Sequence, residues 1–428
     1  MRLRTLLPAL VAGATACAGA DAGQLQLSAP VSVSAHTSVG AAPILALAPD
    51  GRRTVAWVSA PDGGTDGRLY VATDDGPPAE VTDTLGPIEA HGESPPKLAY
   101  GADGRLHAIY VVARVVPGRR FPQSALRHVS SDDGGRTWTP PASVTDDSVF
   151  GSHNFHSLYA GPDGTVYVAW LDGRHGRSAT YVARSTDGGR SWSPNVRVAH
   201  GESCPCCRTA IAAGSDGTVY LAWRAVLPGS VRDVVVSRSD DRGLTWSEPV
   251  TVHDDGWVFD GCPHAGPSLQ VGADGRLHVA WWTGREGAAG VRYAQSADGA
   301  RTFAPPVDIG VADFSRPAHA QVALGADDRV VVAWDDGTLR TPRVTVRASR
   351  DGGRTFGPPV PVSEEGRAAT FPVLAVDGRH VSVAWSEQSR EAADHAAAHA
   401  PDMKDPSTVK GLNAVGEQRV LMRAGDLP

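Results

Sequence analysis

Lysine is nearly absent from this sequence although arginine is abundant, a bias that reflects genome composition more than function. It occurs only at positions 97, 404 and 410, and no basic patch indicates nucleic acid as a partner. The apolar run from Leu6 to Ala16 is too short to cross a bilayer, which takes ~20 residues. The remaining composition, 41% hydrophobic and 20% charged with a net charge of −7, is typical of a folded soluble protein.

The N-terminus has the pattern of a secretory signal. Arg2 and Arg4 precede the apolar run, and Ala14-Thr15-Ala16-Cys17 resembles a bacterial lipobox with Ala14 where leucine is usual. We therefore predict a signal peptide over residues 1–17, with Cys17 as a lipidated N-terminus in preference to ordinary cleavage nearby. This predicts a periplasmic or outer-membrane lipoprotein, or otherwise a secreted protein, attached to a membrane only through the lipid.

A short motif, S-x-D-x-[GA]-x-[ST]-[WF], recurs five times. Its starting serines are spaced by 54, 54, 57 and 53 residues, and such a period indicates a repeat architecture. The serine hydroxyl and aspartate carboxylate suit a tight hairpin, and glycine accepts the positive φ angle that such a turn requires. The copies start at Ser131, Ser185, Ser239, Ser296 and Ser349.

This motif resembles the Asp-box of the bacterial neuraminidase repeat, which occurs in sialidases and many other β-propellers. The resemblance covers nearly the whole chain as a fold. It implies repeated hairpins with an aromatic residue between neighbouring sheets, and a hairpin of this kind is structural rather than catalytic.

A second unit precedes each Asp-box and sets the number of blades. It consists of two apolar runs joined by a turn that usually reads Asp-Gly, a strong signal for a hairpin. Seven such units, which we name strands A and B, predict an all-β protein: a propeller of seven four-stranded blades. The second run ends in an aromatic residue at Trp57, Tyr110, Trp170, Trp223, Trp281, Trp334 and Trp385.

The two ends of the chain are predicted to close the ring in one domain, residues 24–428. The last A–B hairpin is followed by one candidate strand, Gln418 to Arg423, while Ser28 to Val33 reads like an outer strand D. The N-terminal strand would then complete blade 7 and remove an open edge. Residues 387–416 form a predicted insertion in the B–C loop of that blade.

The D–A and B–C loops share one face, opposite the Asp-boxes, and candidate ligand residues fall there in matching register. Counting back from each A–B turn aligns His, Glu and Cys in four neighbouring blades, and these types bind metals or transfer protons. The candidates for binding are His91, Glu93, His156, Cys207, Arg208, Arg174, Arg285, Arg316 and His319.

Four cysteines in two adjacent loops give the most specific signal. The loops read Cys204-Pro205-Cys206-Cys207 and Cys262-Pro263-His264. One interpretation is one or two disulfides, which an oxidising compartment allows. The other is a soft-ligand site for Cu(I) or Zn(II), with Cys207 the residue expected to point away. The predicted metal ligands are Cys204, Cys206, Cys262, His264 and His153.

Three functions remain open from the sequence. One is an extracytoplasmic propeller that binds a metal, or a small-molecule, glycan or protein ligand, through its Cys/His-rich face. The second is an exo-α-sialidase or related glycoside hydrolase, which the resemblance implies. The third is a surface binding module stapled by disulfides. Sialidases use three arginines, an acid/base aspartate and a Tyr–Glu pair, but here the family's early Arg-Ile-Pro motif and a paired Tyr–Glu are absent.

We predict that the purified protein does not release sialic acid from simple sialosides, because no nucleophile pair is evident. A fluorogenic sialoside assay measures this directly. The prediction is contradicted if the protein turns over the sialoside and a single Arg or Asp substitution on the D–A/B–C face abolishes that turnover.

Overall fold

The computed structural model describes residues 25–37, 39–60, 66–74, 76–117, 122–393 and 418–428. These residues form seven antiparallel sheets of four or five strands, which confirms the predicted seven-bladed propeller. Cys17, with the rest of the predicted signal peptide, and most of the predicted insertion lie outside this range. No helix in the described ranges is both long and apolar enough to span a membrane.

Blades 1 to 4 each have strands A to D in chain order. Their strands are, for blade 1, Ala41–Leu47, Arg53–Ser59, Arg68–Thr73 and Ala79–Val81; for blade 2, Lys97–Tyr100, Leu106–Arg114, Gln123–Ser131 and Ala142–Ser143; for blade 3, His153–Ala160, Val166–Asp172, Ala179–Ser185 and Val196–Arg197; for blade 4, Ala210–Ala213, Val219–Val226, Val234–Ser239 and Val250–Thr251, with an extra strand Glu202–Ser203.

Blades 5 to 7 repeat the pattern, except that the last blade takes its outer strand from the N-terminus. Their strands are, for blade 5, Ser268–Val271, Leu277–Thr283, Ala289–Ser296 and Val307–Ala312; for blade 6, Gln321–Leu324, Val330–Asp335, Val344–Ser349 and Val360–Pro361; for blade 7, Arg367–Asp377, His380–Ser389 and Arg419–Asp426, with Gln26–Leu27 and Val31–Ser32. Two 3₁₀ turns, Val33–Thr37 and Pro228–Ser230, are also present, and residues 390–393 are helical.

The core lies between neighbouring blades and is built mainly from strand B. The seven aromatic residues predicted to end these strands are at most 2% exposed. Both faces of a blade contact another blade, so the strands read as continuous apolar runs.

The Asp-boxes act as hairpin staples, as predicted. In the first copy, Ser131 Oγ accepts a hydrogen bond from Gly135 N at 2.8 Å, and Asp133 accepts from Thr137 N at 2.9 Å and from Thr137 Oγ1 at 2.7 Å. The same serine and aspartate contacts recur in the other four copies. Their aromatic residues are only half-buried, so these motifs fix local turns and contribute less to the core than strand B does.

The N-terminal strand closes the ring, as the sequence predicted. Gln26 pairs with Asp426, and Val31 pairs with Met422, so both N-terminal segments add to the outer edge of Arg419–Asp426. The pairing satisfies backbone groups that would otherwise leave this edge open.

Strand A is irregular where it begins, on the D–A/B–C face. Blades 1, 3 and 7 each have a register shift there, beside Ala42, Phe155 and Phe371, which hold φ angles of 56°, 57° and 55°. Positive φ is rare for a bulky residue and marks positions where the surrounding structure holds the backbone against its preference. This face therefore differs from the regular Asp-box face.

Deletion of Leu25 to Val33 should lower the Tm by about 5 °C or more, because it exposes the edge of blade 7 and removes the buried Leu25 side chain. Differential scanning calorimetry measures the change. The control is Gln26→Ala, which removes an exposed side chain but keeps the strand pairing, and should leave the Tm nearly unchanged. An unaltered Tm after the deletion would contradict the closure of the ring.

Candidate functional site

The cysteine loop interrupts strand A of blade 4. Glu202–Ser203 and Ala210–Ala213 both pair with strand B of this blade, Val219–Val226, and the residues between them leave the sheet. Pro205 lies in this excursion, and a proline cannot donate a hydrogen bond to a neighbouring strand. Pro205 therefore favours the departure from the strand between Ser203 and Ala210, and this excursion carries three thiols.

The three thiols of this loop form one buried cluster. The Sγ atoms of Cys204 and Cys206 are 3.7 Å apart, and those of Cys207 and Cys204 are 3.6 Å apart. The three side chains are 0%, 4% and 1% exposed, and their sulfurs could serve one metal ion. The cluster is too open for a disulfide, whose sulfurs lie ~2.05 Å apart.

The position of Cys207 corrects one expectation. The vicinal pair predicted that Cys207 would point away, yet its thiol contacts Cys204 and is buried as deeply as its neighbours. The excursion from the sheet frees the backbone from strand alternation, so adjacent side chains can point to the same side.

Two buried arginines lie beside the thiols. Arg224, 1% exposed, donates only to main-chain carbonyls: to Ala265 O at 2.8 Å, Trp282 O at 2.6 Å and Arg232 O at 2.6 Å. Arg232, 8% exposed, donates to Phe259 O at 3.0 Å. In the described ranges neither guanidinium forms an ion pair with a carboxylate.

The nearest carboxylate does not neutralise these charges directly. Asp233 acts electrostatically on Arg224, but its oxygens accept hydrogen bonds from Gly256 N and Trp257 N. Arg224 and Arg232 therefore place positive charge beside the thiols, which favours anionic sulfur at Cys204. Hydrogen bonds from Cys206 and Cys207, together with Arg224 and Arg232, lower the pKa of the Cys204 thiol, whereas hydrogen bonds within the cluster raise the pKa of Cys206 and burial raises that of Cys207.

The second cysteine loop, in blade 5, reaches the edge of this cluster. Cys262 is exposed, and its thiol interacts with that of Cys206. His264 is half-buried, and its Nδ1 atom lies 3.1 Å from the Cys262 carbonyl oxygen. Its ring is 6.2 Å from that of Phe155, which in turn packs against the three thiols. The two predicted loops therefore meet, with Cys262 and His264 on the outer side.

His153, another predicted metal ligand, lies in a separate cluster. Its Nε2 atom is 3.2 Å from Asp147 and 3.7 Å from Asp172. Arg174 already pairs with Asp172 at 2.8 Å and with Asp146 at 2.8 Å. Asp147, His153 and Asp172 offer ligand atoms within 4.8 Å of one another, so a cation here would compete with this guanidinium for the Asp172 carboxylate.

The Glu93 carboxylate joins four blades near the channel. It accepts hydrogen bonds from Arg208 Nη1 at 2.7 Å, Arg208 N at 3.1 Å and Gly266 N at 2.5 Å. His319 Nε2 lies 3.8 Å from the same carboxylate. Glu93, Arg208 and His319 are at most 8% exposed, so blades 2, 4, 5 and 6 meet through buried charges.

A second carboxylate fixes His319. Asp335 accepts from His319 N at 2.5 Å, from His319 Nδ1 at 2.6 Å and from Phe371 N at 3.1 Å. Burial lowers the pKa of His319, but the charge and hydrogen bond of Asp335, together with Glu93, outweigh burial and raise it. The His319 ring thus lies between two carboxylates, which favour its protonated form.

The remaining predicted histidines of this face are buried or partly buried, and uncharged. Burial and the nearby His264 and His319 lower the pKa of His91 to about 3. Burial also lowers the pKa of His156 to about 3, with a contribution from Lys97. Their neutral rings contribute little charge at neutral pH.

The predicted rim arginines do not join the thiols or Glu93. Arg285 is exposed in the B–C loop of blade 5, and the exposed Arg316 donates to the carbonyls of Leu339 and Arg340. Arg174 is held by its own carboxylates, as described above. In the described residues these three side chains do not converge on one substrate carboxylate.

Sequence reasoning missed three buried charges. Asp335 ends strand B of blade 6, and Arg224 lies within the apolar run Val219–Val226. Arg232 lies two residues before the next strand, Val234–Ser239. A lone arginine inside a buried strand was the available signal, because such a charge needs a specific environment.

Comparison with known proteins agrees with the fold. Residues 86–256, which span blades 2 to 4, match the family model of the BNR repeat-like domain. The chain as a whole is a seven-bladed β-propeller with five Asp-boxes, and its residues 86–256 are similar to this repeat-like domain. No curated protein sequence matches the chain.

Three solved structures are similar. A protein of unknown function from Dyadobacter fermentans has 18% identity and a TM-score of 0.51, over 94% of this chain and 99% of its own. A PL25 ulvan lyase has 15% identity and a TM-score of 0.55, over 85% and 92%. A Hadza microbial sialidase has 17% identity and a TM-score of 0.49, over 85% and 74%. At these identities the first two similarities show a shared fold.

Replacing Glu93 with alanine should lower the free energy of unfolding by about 3–5 kcal/mol, because the buried Arg208 charge loses its partner. Chemical denaturation measures the change. The control, Arg177→Ala, breaks an exposed ion pair with Glu202 and should cost less than about 1 kcal/mol. Equal effects of the two substitutions would contradict the prediction that the Glu93 carboxylate stabilises the fold.

Proposed function

We propose that this propeller binds a soft metal ion, Cu(I) or Zn(II), through the thiolates of Cys204, Cys206 and Cys207. The observation that carries the proposal is the spacing of three buried sulfurs at 3.6 and 3.7 Å. Two sulfurs bound tetrahedrally to one ion at ~2.3 Å lie ~3.8 Å apart. The cluster therefore needs little rearrangement to hold a metal.

The charge around the sulfurs supports anionic ligands. Three buried thiolates would repel one another, and a cation between them removes that repulsion. Arg224 and Arg232 stabilise whatever negative charge remains on the complex, since neither is paired with a carboxylate in the described ranges. Thiolate is the ligand type that favours Cu(I) and Zn(II) among biological metals.

The alternatives have weaker support. In the described part of the chain the four cysteines are free thiols, which supports a metal site more than a disulfide-stapled module. The glycoside hydrolase rests on the shared fold, and a fold does not fix an activity. The proposal of an extracytoplasmic lipoprotein anchored at Cys17 rests on the N-terminal sequence alone.

Anaerobic titration of the reduced full-length protein tests the metal site. Cu(I) and Zn(II) are offered in competition with chromophoric chelators, and bound metal is counted by elemental analysis. We expect about one ion per chain. Cys204→Ser should weaken binding at least ~100-fold, because it removes the sulfur that touches both others.

The control is Glu202→Gln, an isosteric change in the same loop that leaves every sulfur in place. It should bind like the wild type. Failure of the reduced wild type to retain either ion would overturn the proposal, as would unchanged affinity in Cys204→Ser.

A further inference from the structure

We propose that Cys262 and His264 form an exchange site, through which the metal ion enters and leaves the buried thiolates. This inference rests on the proposed function of the cluster. It adds a route for the ion and a partner class, namely a donor that presents the ion on thiolate ligands.

The burial of the four cysteines divides them into two groups. Cys204, Cys206 and Cys207 are at most 4% exposed, so a bulky donor cannot reach them directly. Cys262 is exposed and interacts with Cys206. It is therefore the cysteine that can contact a donor and the buried cluster at once.

Hydrogen bonding selects His264 among the histidines of this face. The Cys262 carbonyl can only accept, so His264 Nδ1 carries the proton and Nε2 keeps its lone pair. A histidine that ligates a metal typically donates its other N–H to a carbonyl in this way.

The neighbouring histidines have different roles. His91 Nδ1 accepts from Glu93 N at 3.2 Å, so its Nε2 carries the proton and cannot ligate. His319 donates through Nδ1 to Asp335, and its Nε2 lies near Glu93, so both ring nitrogens face carboxylates and not the thiols.

The backbone also holds His264 in an unusual conformation. Its φ of 51° lies in the left-handed region, which non-glycine residues seldom adopt and which costs ~1 kcal/mol or more. Strain of this kind persists where the surrounding structure fixes a side chain. Here it places the ring 5.5 Å from His91 and beside Phe155, at the outer edge of the thiols.

The transfer is a sequence of ligand exchanges. Cys262 binds the ion carried by the donor, one donor thiolate leaves, and that thiolate takes the proton released by the incoming thiol. Cys206 then replaces the last donor ligand in the same way. No electron moves, and the ion keeps its oxidation state.

Exchange kinetics test this inference. Metal is supplied as its glutathione complex, using whichever of Cu(I) or Zn(II) the wild type retains, and loading is followed by stopped flow. Release is followed with a chelator. Cys262→Ser should slow both loading and release at least ~10-fold, while the dissociation constant at equilibrium changes less than ~5-fold, because an exchange ligand lowers the barrier for both directions.

His264→Gln provides a second variant and should slow both rates in the same direction. It keeps the test valid if Cys262→Ser does not fold. The control is Asp260→Asn, an isosteric change at an exposed position of the same loop, which should load and release like the wild type.

The outcomes distinguish a failure of the exchange site from a failure of the thiolate metal site. Wild-type rates in both Cys262→Ser and His264→Gln would overturn the exchange site while leaving the thiolate site intact. A loss of affinity in Cys262→Ser as large as in Cys204→Ser would make Cys262 a resting ligand and would also overturn the exchange role. Absence of metal in the wild type would overturn the proposed function itself.

Discussion

The Arg224 side chain ties together the two loops that carry the cysteines. A buried guanidinium must have its N–H groups satisfied, and Arg224 donates to Ala265 O and Trp282 O in blade 5 and to Arg232 O in blade 4. Its own carbonyl accepts from Cys204 N at 2.8 Å. One residue of strand B thus positions the start of the thiol loop and the residue that follows His264.

The propeller supplies a rigid frame for this arrangement. Asp-boxes and A–B turns repeat from blade to blade on one face. The N-terminal strand closes the ring. The irregular starts of strand A lie on the other face, where Glu93 and Arg208 join distant blades. The site therefore combines a fixed scaffold with loops free to depart from strand geometry, as is usual for functional loops.

The sequence predicted the features that depend on local pattern. Asp-Gly turns and the S-x-D-x-[GA] motif act within a few residues, so they revealed seven blades and their faces. Register in the D–A loops also placed Glu93, Arg208 and His319 on one face, but it did not indicate that they contact one another. Whether a loop side chain points inward, however, depends on how the backbone leaves the strand, and the excursion between Ser203 and Ala210 made the placement of Cys207 wrong.

Long-range charge pairing was harder to foresee. Arg208 meets a carboxylate 115 positions away, and Arg224 meets a carbonyl 58 positions away. Such partners are set by the packing of blades and have no local signature.

X-ray absorption at the metal edge of the loaded wild-type protein tests the central claim most directly. The account predicts a first shell dominated by sulfur, about three atoms at ~2.3 Å, because three buried thiolates surround the ion. A first shell composed only of oxygen and nitrogen would contradict it.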